Sequence, residues 1–515
     1  MWRSLAVAFA LVVPFSGQAQ DVTSQLEKVQ TERLRPLDFA PFAVALDSFQ
    51  PPPDFDQSVQ AADIAALQAA FAAGQLTSED LTLWHLSRIR KLDDSLRGML
   101  EINPAALDEA RAADARRAAG QSLGPLDGIP VSLKDNIGTA APMHTTANAE
   151  ILLDNSAAED AALVTSLRAA GAVIIGKASL SEFAGSLATG FPSGGNGAVG
   201  GQGVNPLGPY PTYGSSSGSA ISVAAHYAVV SIGTETAGSL IAPASVMSLV
   251  GMKPSAGLVS GEGVVPLISS NDGPGPIARS VRDAAVLLGA ADTVDVDYTA
   301  GLSATSLNGV KVGVFVGDMA YEGGLSTVMT RLGATLALLG ADISPATLDA
   351  RPELMGGFLV YLSAGMRFDM MPYVTAVNPN VVTLEDLITY NAADPKRRIP
   401  FGQDLLTQYA PYSQTLTEAE FRALTAELIA VMTKTLDTAF ASSGGAEVLV
   451  GVANSESVFY ATAGYPAITV PIGRKDDGLP VGITLIGKKG QDAQLLSYAY
   501  AIEQATLARI AADLP

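Results

Sequence analysis

Short apolar runs that alternate with helical segments constrain the fold of this chain more than any other feature. The run IPVSLK at 129–134 is typical of a buried strand, and so is AGAVIIGKAS at 170–179, which follows a helical segment. AVVSIGTE at 228–235 repeats the pattern, and it resumes from residue 446 up to a closing helical segment, DAQLLSYAYAIEQAT. Strands separated by helices are typical of α/β proteins, because the helices cover the faces of one sheet. We therefore predict an α/β fold.

The distribution of polar, proline-rich and apolar segments along the chain predicts one main domain preceded by an arm. Residues 20–55 are polar and then proline-rich, ending near FQPPPDFD, which is typical of an arm or linker. Residues 56–515 are predicted to form a single domain. Within it, about 320–445 is helical and more polar, and strand-like runs lie on either side of it. We therefore predict a helical insertion there.

The first residues, MWRSLAVAFALVVPFSGQAQ, have the features of a secretory signal peptide. Arg3 supplies the positive start, and the apolar run from Leu5 to Phe15 is too short to span a bilayer comfortably. Gly17 and Ala19 place small residues where a signal peptidase requires them. We expect a signal peptide at 1–19 with a cut after Ala19, and a periplasmic or secreted protein.

Charge and composition argue against several functions. The chain has 515 residues and a net charge of −20, which argues against nucleic acid and anionic membrane surfaces as partners. It has no cysteine, which excludes disulfides, thiolate nucleophiles and Cys-ligated metal centres. We expect no metal, no cofactor and no membrane span.

Ser239 follows a turn of small residues within GTETAGSL at 233–240, at the end of a predicted strand. Such a turn can point successive backbone N–H groups at one spot, and each preset donor to an oxyanion is worth about 3–4 kcal/mol. Two interpretations stay open at this point: a nucleophile beside an oxyanion hole, or a tight turn in a core.

A serine-rich loop, GSSSGS at 214–219, precedes a helical segment of small residues. A loop of this kind could cradle a phosphate, but it contains neither G-x-G-x-x-G nor the G-K-[ST] of a P-loop. A flexible linker is the other alternative, although such linkers rarely lead into so apolar a helix.

Lys134 ends the apolar run IPVSLK. Burial lowers the pKa of an amine at such a position, and a neutral amine is a candidate general base. The alternative is an exposed lysine at a strand end. Of the three histidines, His85 and His226 lie in helical segments and are interpreted as structural.

Taken together, these stretches resemble the amidase signature family, and within it the branch that contains bacterial peptide amidases. Six stretches follow the family's order: GIPVSLKDNI, YGSSSGSA, GTETAGSLIAPA, GMKPSAGLVS, GPGPIARSVRDAA and AGYPAITVPIG with GLPVGITLIG. The resemblance covers most of 60–320 and 445–510. It implies the amidase signature fold, a central mixed β-sheet with helices on both faces. It also implies hydrolysis of a carboxamide C–N bond through an acyl-enzyme, with release of ammonia or an amine.

The resemblance further implies a Ser–cisSer–Lys triad. The family's base corresponds to Lys134, its bridging serine after a cis peptide to Ser215, and its acylated nucleophile to Ser239. A proton would pass from Ser239 through Ser215 to neutral Lys134, so that no histidine is needed. In similar enzymes Ser216 and Ser219 are structural. The loop that carries His144 lies near the lysine strand in the family, so the resemblance implies that His144 could line the pocket. The N–H groups of the oxyanion hole correspond to Thr236, Ala237, Gly238 and Ser239.

Three positions depart from the common family pattern. Many members have Asp four residues before the nucleophile and Arg two residues after it, where this chain has Glu235 and Ile241. The peptide-amidase-like branch tolerates both changes. Ala237 stands where glycine is frequent, which could narrow the floor of the pocket or alter the oxyanion hole slightly.

The resemblance leaves the substrate open among a C-terminal peptide amide, an aryl or fatty acyl amide and a carbamate. GMRFDMMPYV at 365–374 either favours an apolar acyl or aryl group or simply packs the insertion. Two other functions are weighed: the ammonia-relaying component of an amidotransferase, which the predicted leader disfavours, and an inactive periplasmic binding homologue, which the intact triad disfavours. We expect a small-molecule or peptide amide as substrate, and a monomer or homodimer.

Overall fold

A computed structural model describes most of the chain. The signal peptide predicted at 1–19 lies outside the described residues. The described residues are 32–52, 54–188, 194–294, 296–315, 325–349 and 352–514, with the side chains of 352–356 excepted.

The described strands form one large sheet and one small sheet of two short strands. The strands are β1 Met99–Ile102, β2 Pro130–Lys134, β3 Val173–Ala178, β4 Asn196–Gly197, β5 Gly201–Gln202, β6 Val230–Glu235, β7 Val250–Lys253, β8 Gly273–Ala278, β9 Lys311–Phe315, β10 Asp342–Ala346, β11 Val448–Val452, β12 Ala467–Arg474 and β13 Pro480–Ile486.

The helices cover the large sheet, and shorter turns connect them. The α-helices are α1 Ala43–Ser48, α2 Phe55–Ala61, α3 Ile64–Ala72, α4 Ser78–Leu96, α5 Ala106–Ala118, α6 Ala162–Ala169, α7 Ser217–Ala224, α8 Ile241–Val246, α9 Val281–Ala291, α10 Ser326–Leu338, α11 Pro352–Gly365, α12 Met371–Val377, α13 Leu384–Ala392, α14 Pro395–Arg398, α15 Asp404–Ser413, α16 Glu418–Ser442, α17 Ser457–Ala463 and α18 Asp492–Thr506. The shorter turns are 3-10 helices at Ala40–Phe42, Glu150–Leu152 and Glu182–Gly185 and a π-helix at Met366–Met370.

The large sheet is mixed and has 11 strands in the order β1-β3-β2-β6-β8-β7-β12-β13-β11-β9-β10. β3, β2 and β6 run parallel to one another, and so do β11, β9 and β10 at the other end. The pairs between these two groups are antiparallel. The predicted mixed sheet is therefore confirmed.

Helices pack against both faces of this sheet, because alternate strand residues point in opposite directions. In β12, Ile468 and Val470 join one buried cluster, whereas Ala467 joins another. The first cluster includes side chains of α3, α6, α9, α10 and α18. Two other clusters, on the opposite face of the sheet, include side chains of α4, α5, α7, α8, α12, α13, α15, α16 and α17. The predicted α/β fold with flanking helices is confirmed.

The predicted insertion at about 320–445 is helical for most of its length. It also supplies β10, which pairs in parallel with β9 at the edge of the sheet. In the arm, Arg33 forms an ion pair with buried Asp93 of α4 at 2.5 Å. The division of the chain into a signal peptide, an arm and one domain stays a prediction. Among the helices of the described residues, none combines the length and apolar character that crossing a membrane requires.

The sheet brings the candidate site residues to one edge. β2 and β6 are parallel neighbours, with Leu133 opposite Ile232. Because the carboxyl ends of parallel strands meet at the same edge, Lys134 at the end of β2 comes beside the turn that follows β6. The serine-rich loop leads into α7, whose side chains are all buried between these strands and their neighbours.

Candidate active site

Lys134 is fully buried, and its amine has three polar neighbours. Its Nζ lies 2.8 Å from Ser215 Oγ, and it donates hydrogen bonds to Thr234 Oγ1 at 2.8 Å and to the Thr234 carbonyl at 3.1 Å. A neutral amine has two N–H groups and one lone pair. Two acceptors on Thr234 and one hydroxyl donor on Ser215 match that set.

The surroundings of Lys134 favour the neutral amine. Burial lowers the pKa of Lys134 to about 7, against the opposing influence of the Asp272 and Glu235 carboxylates. Desolvation is the dominant cause, since no carboxylate of the described residues forms an ion pair with this amine. A substantial share of the molecules therefore carries a free base at neutral pH.

The serine-rich loop is fixed to β6 and to the turn after it. The peptide bond between Gly214 and Ser215 is cis. The Ser216 N–H donates to the carbonyl of Ser239 at 3.1 Å, and its hydroxyl donates to the carbonyl of Thr234 at 2.9 Å. Ser219 Oγ donates to a β6 carbonyl at 3.4 Å. These bonds hold Ser215 between the lysine and the turn that carries Ser239.

The turn at 236–239 presents free backbone donors. Within the described residues, none of its four N–H groups donates a hydrogen bond to the protein. The next two N–H groups, those of Leu240 and Ile241, donate to Glu235 Oε2 at 2.8 and 3.2 Å. Glu235 thus closes the turn and leaves the preceding N–H groups available. Ser239, with 8% of its surface exposed, lies at the end of this turn.

Gly238 is required at its position in the turn. Its φ is +86°, in the left-handed region that glycine favours. A Cβ there would lie 2.8 Å from Asn454 Nδ2 and 3.1 Å from Ser457 Oγ. The loop after β11 therefore packs directly against the turn, and any side chain at position 238 would displace one of them.

A half-buried carboxylate outside the predicted site supports the turn. Asp272 Oδ1 accepts a hydrogen bond from Thr236 Oγ1 at 2.5 Å. Its Oδ2 accepts from the N–H groups of Leu267 and Ile268 at 2.7 and 3.0 Å. Asp272 therefore joins the turn to the loop before β8.

The insertion reaches the same turn through a chain of hydrogen bonds. Tyr361 of α11 donates to Asn271 Oδ1 at 3.0 Å and lies 2.6 Å from Ser270 Oγ. Asn271 Nδ2 in turn donates to the Thr236 carbonyl at 3.3 Å. Of the methionines of 365–374, Met366, Met370 and Met371 are buried in a cluster that also contains Ile241, Leu267 and Ile268.

The histidines lie apart from Lys134 and the turn. His85 and His226 share a buried cluster with Trp84, and His85 Nδ1 lies 2.9 Å from the His226 carbonyl. Burial lowers the pKa of His85 to about 3. His144 Nδ1 lies 2.7 Å from Glu101 Oε1. In the part of the chain that the structure describes, no histidine forms a hydrogen bond with Lys134, Ser215 or Ser239.

Lys134, Ser215 and Ser239 are predicted from the sequence as site residues, and the structure places all three at one edge of the sheet. It missed Thr234, which holds the lysine amine, and Asp272, which holds the turn. Thr234 carried a usable signal, because it lies two residues before the turn on the strand next to β2. Asp272 carried none, since its partner Thr236 lies 36 positions earlier in the chain.

Comparison with known proteins gives a consistent result. A family model described as Amidase matches residues 80–496 of the chain. A probable amidase of Arabidopsis thaliana is 35% identical over 479 residues, covering 88% of this chain and 91% of the relative. A component of the glutamyl-tRNA(Gln) amidotransferase of Acidothermus cellulolyticus is 33% identical over 479 residues, covering 85% of this chain and 93% of the relative.

Solved structures agree with these relatives. The native peptide amidase from Stenotrophomonas maltophilia superposes with a TM-score of 0.81 at 35% identity, covering 88% of this chain and 98% of that chain. An amidase family protein from Bacillus anthracis superposes with a TM-score of 0.81 at 32% identity, covering 97% of this chain and 98% of that chain.

Proposed function

The chain belongs to the amidase family and is an amide-hydrolysing enzyme, and on that premise we propose how it works and on what. Ser239 is the nucleophile, Ser215 the bridging hydroxyl and Lys134 the general base. The observation that carries this proposal is the 2.8 Å separation between Lys134 Nζ and Ser215 Oγ in a site that excludes water from the amine.

In the first step Ser239 Oγ attacks the carbonyl carbon of the substrate amide. Its proton passes to Ser215, whose own proton passes to the lone pair of Lys134. The negative charge that develops on the substrate oxygen is stabilised by free N–H groups of the turn at 236–239. The tetrahedral adduct then expels the amine, which takes the proton back from Lys134 through Ser215.

The second step releases the acid. Water attacks the ester carbonyl of the acylated Ser239, and the same Ser215–Lys134 pair accepts its proton. Collapse of the second adduct returns that proton to Ser239 Oγ. The net reaction is hydrolysis of one C–N bond, with ammonia or an amine and a carboxylic acid as products.

For the substrate, we propose a carboxamide, with C-terminal peptide amides the first class to test. The support is the likeness to the peptide amidase from Stenotrophomonas maltophilia, with 35% identity over nearly the whole of that chain. Aryl acylamides and carbamates are the alternatives that the same chemistry admits.

A second candidate is the glutamine-hydrolysing component of an amidotransferase. It is supported by the 33% identity to the Acidothermus cellulolyticus protein over 93% of that relative. The two candidates differ in their substrate, since the second would release ammonia from glutamine and would depend on a partner protein.

We also propose that the protein is exported and cleaved after Ala19. The support is the positive start, the short apolar run and the small residues at 17 and 19. Expression of the full chain in a bacterium, followed by N-terminal sequencing of protein from the periplasm, tests this. A mature chain that still begins at Met1 would contradict it.

The central experiment measures ammonia or amine released from a panel of peptide amides, anilides, aliphatic amides, carbamates and glutamine. Wild type is expected to hydrolyse at least one class and to react with a fluorophosphonate probe. Ser239→Ala should abolish both turnover and labelling. Ser245→Ala is the matched control, because this buried serine lies on α8 just after the turn and its hydroxyl accepts a hydrogen bond from the Gly482 N–H. Labelling that persists in Ser239→Ala would refute the assignment, and a wild type without turnover or labelling would favour the inactive homologue.

A further inference from the structure

Asp272 is a half-buried carboxylate, and its hydrogen bonds within the described residues all come from neutral donors. It accepts one from the hydroxyl of Thr236 and two from the N–H groups of Leu267 and Ile268. Among the described residues it forms no ion pair within 4 Å. A carboxylate in this position carries a negative charge that its direct contacts do not cancel.

Lys134 and Asp272 bind the same short segment of the chain, since the amine binds Thr234 and the carboxylate binds Thr236 two residues later. The carboxylate raises the pKa of the Lys134 amine against the effect of burial, and Lys134 in turn lowers the pKa of the Asp272 carboxyl. Burial leaves the pKa of Asp272 at about 6, below that of Lys134. Above neutral pH the pair is therefore a carboxylate beside a neutral amine.

The proposed reaction changes the charge of only one member of this pair. When Lys134 accepts the proton from Ser239 through Ser215, an ammonium forms in a site without bulk water. A charge in such a site is costly unless an opposite charge lies near it, because the local dielectric is low. Asp272 supplies that opposite charge, and Glu235 is the other carboxylate that acts on the same amine. Tyr361 also faces Asp272, but burial raises the pKa of its phenol to about 12, so it stays neutral.

From this geometry we infer that Asp272 is a positioning residue with two linked roles. It stabilises the ammonium that forms on Lys134, and through Thr236 it fixes the turn whose N–H groups face the oxyanion. The two charges that develop in this step, the ammonium on Lys134 and the oxyanion of the tetrahedral adduct, are thus both supported by the side chain of Asp272. The inference rests on the proposed function, since it requires Lys134 to be the base.

The test is the pH dependence of kcat/KM for Asp272→Asn on the best amide of the panel. Loss of the carboxylate should lower the pKa of Lys134 and move the rise in activity to lower pH by about one pH unit. It should also lower the plateau by about 10- to 100-fold, because the ammonium loses its opposing charge.

The matched control is Asp369→Asn. Asp369 is a buried carboxylate of the π-helix Met366–Met370 that binds the same loop: it accepts from the Ser269 N–H at 2.9 Å and pairs with Arg422 at 2.9 Å. Its loss should leave the midpoint of the pH profile unchanged. A loss of activity in Asp272→Asn that came from loop distortion alone would likewise leave the midpoint unchanged.

The outcomes separate this inference from the proposed function. If Lys134→Met keeps full activity, the proposed function itself fails. If Lys134→Met is inactive and folded Asp272→Asn keeps the wild-type midpoint, only the role of Asp272 fails. Should Asp272→Asn not fold, Thr236→Val removes the bond to the turn alone. Its plateau is expected to fall about tenfold with the midpoint unchanged, and a wild-type plateau would overturn the inference.

Discussion

Two buried lysines at the ends of neighbouring strands show how differently one residue type is used in this protein. Lys134 ends β2 and Lys177 lies near the end of the parallel strand β3, opposite Leu133. Both are fully buried, and burial lowers the pKa of both amines. Their neighbours differ: Lys177 forms an ion pair with Asp135 at 3.2 Å, whereas the hydrogen bonds described for Lys134 involve two hydroxyls and a carbonyl.

The remaining contacts of Lys177 complete an ammonium site. Its Nζ donates to the carbonyls of Ile137 and His144, each at 2.8 Å, and to the hydroxyls of Thr139 and Thr145 at 3.2 and 3.0 Å. These oxygens, together with the Asp135 carboxylate, favour an ammonium at Lys177. Burial alone therefore does not make a lysine a base. What distinguishes Lys134 is the hydroxyl of Ser215, through which the proposed mechanism delivers a proton to the amine.

The largest expected effect follows from removing the amine at position 134. Lys134→Met should lower kcat by about 10⁴-fold, because proton transfer to a positioned base contributes up to that factor. The free energy of unfolding should stay unchanged or rise, since methionine fills a similar volume without the cost of a buried amine. Amine release and urea denaturation measure the two quantities. A folded variant with wild-type kcat would contradict the proposed role of Lys134 as the base.

The same substitution at the other lysine should have the opposite profile. Lys177→Met is expected to lower the free energy of unfolding by about 3–5 kcal/mol, because it leaves Asp135 buried without its partner. Activity per folded molecule should be retained. The double variant Lys177→Met/Asp135→Asn should regain part of the stability, as urea denaturation would show. If the single variant were as stable as wild type, Lys177 would not be the structural cation described above.

The pH dependence of catalysis sharpens the contrast. Lys134 must be neutral to act, and its pKa is lowered to about 7, so activity should rise with pH through that value. Below it, kcat/KM should fall about tenfold per pH unit as the amine becomes protonated. A profile that rises instead near the pKa of an ordinary lysine, about 10.4, would show that burial does not govern this group.

The smallest effects on activity and stability are expected from substituting one threonine beside each lysine. Thr234→Val removes a hydroxyl that binds Lys134 and should lower kcat/KM by about tenfold, through a less well oriented base. Thr145→Val removes a hydroxyl that binds Lys177 and should cost about 1–2 kcal/mol of stability with activity retained. Parallel kinetic and denaturation measurements of the two variants test whether each threonine serves the role of its lysine.

Much of the sheet was predictable from local pattern. The predicted strands at 129–134, 170–179 and 228–235 correspond to β2, β3 and β6, and the closing helical segment is α18. β8 was not predicted, since its sequence GPGPIA lacks the apolar pattern of a strand. Its prolines lie within the sheet opposite Thr234 and Ile232, where pairing with neighbours rather than propensity decides the structure.

The site was predictable in part. In both IPVSLK and AVIIGKAS a lysine stands at or near the end of an apolar run. The sequence pattern alone therefore does not distinguish Lys134 from Lys177. The resemblance to a family selected Lys134, whereas the distinction in physical terms lies in contacts with Asp135 and Thr234. Those contacts depend on the register of three strands and on loops far apart in the chain. For the same reason the link between Thr236 and Asp272 emerges only from the folded chain.

The pairing of β2 with β6 has a consequence for the newly synthesised chain before it folds. In a newly made chain, Lys134 is a hydrated ammonium and Ser239 an ordinary alcohol, 105 positions apart in the sequence. Neither is reactive until the two strands lie side by side and water leaves the amine. On the proposed mechanism, completion of the sheet is itself the activation step.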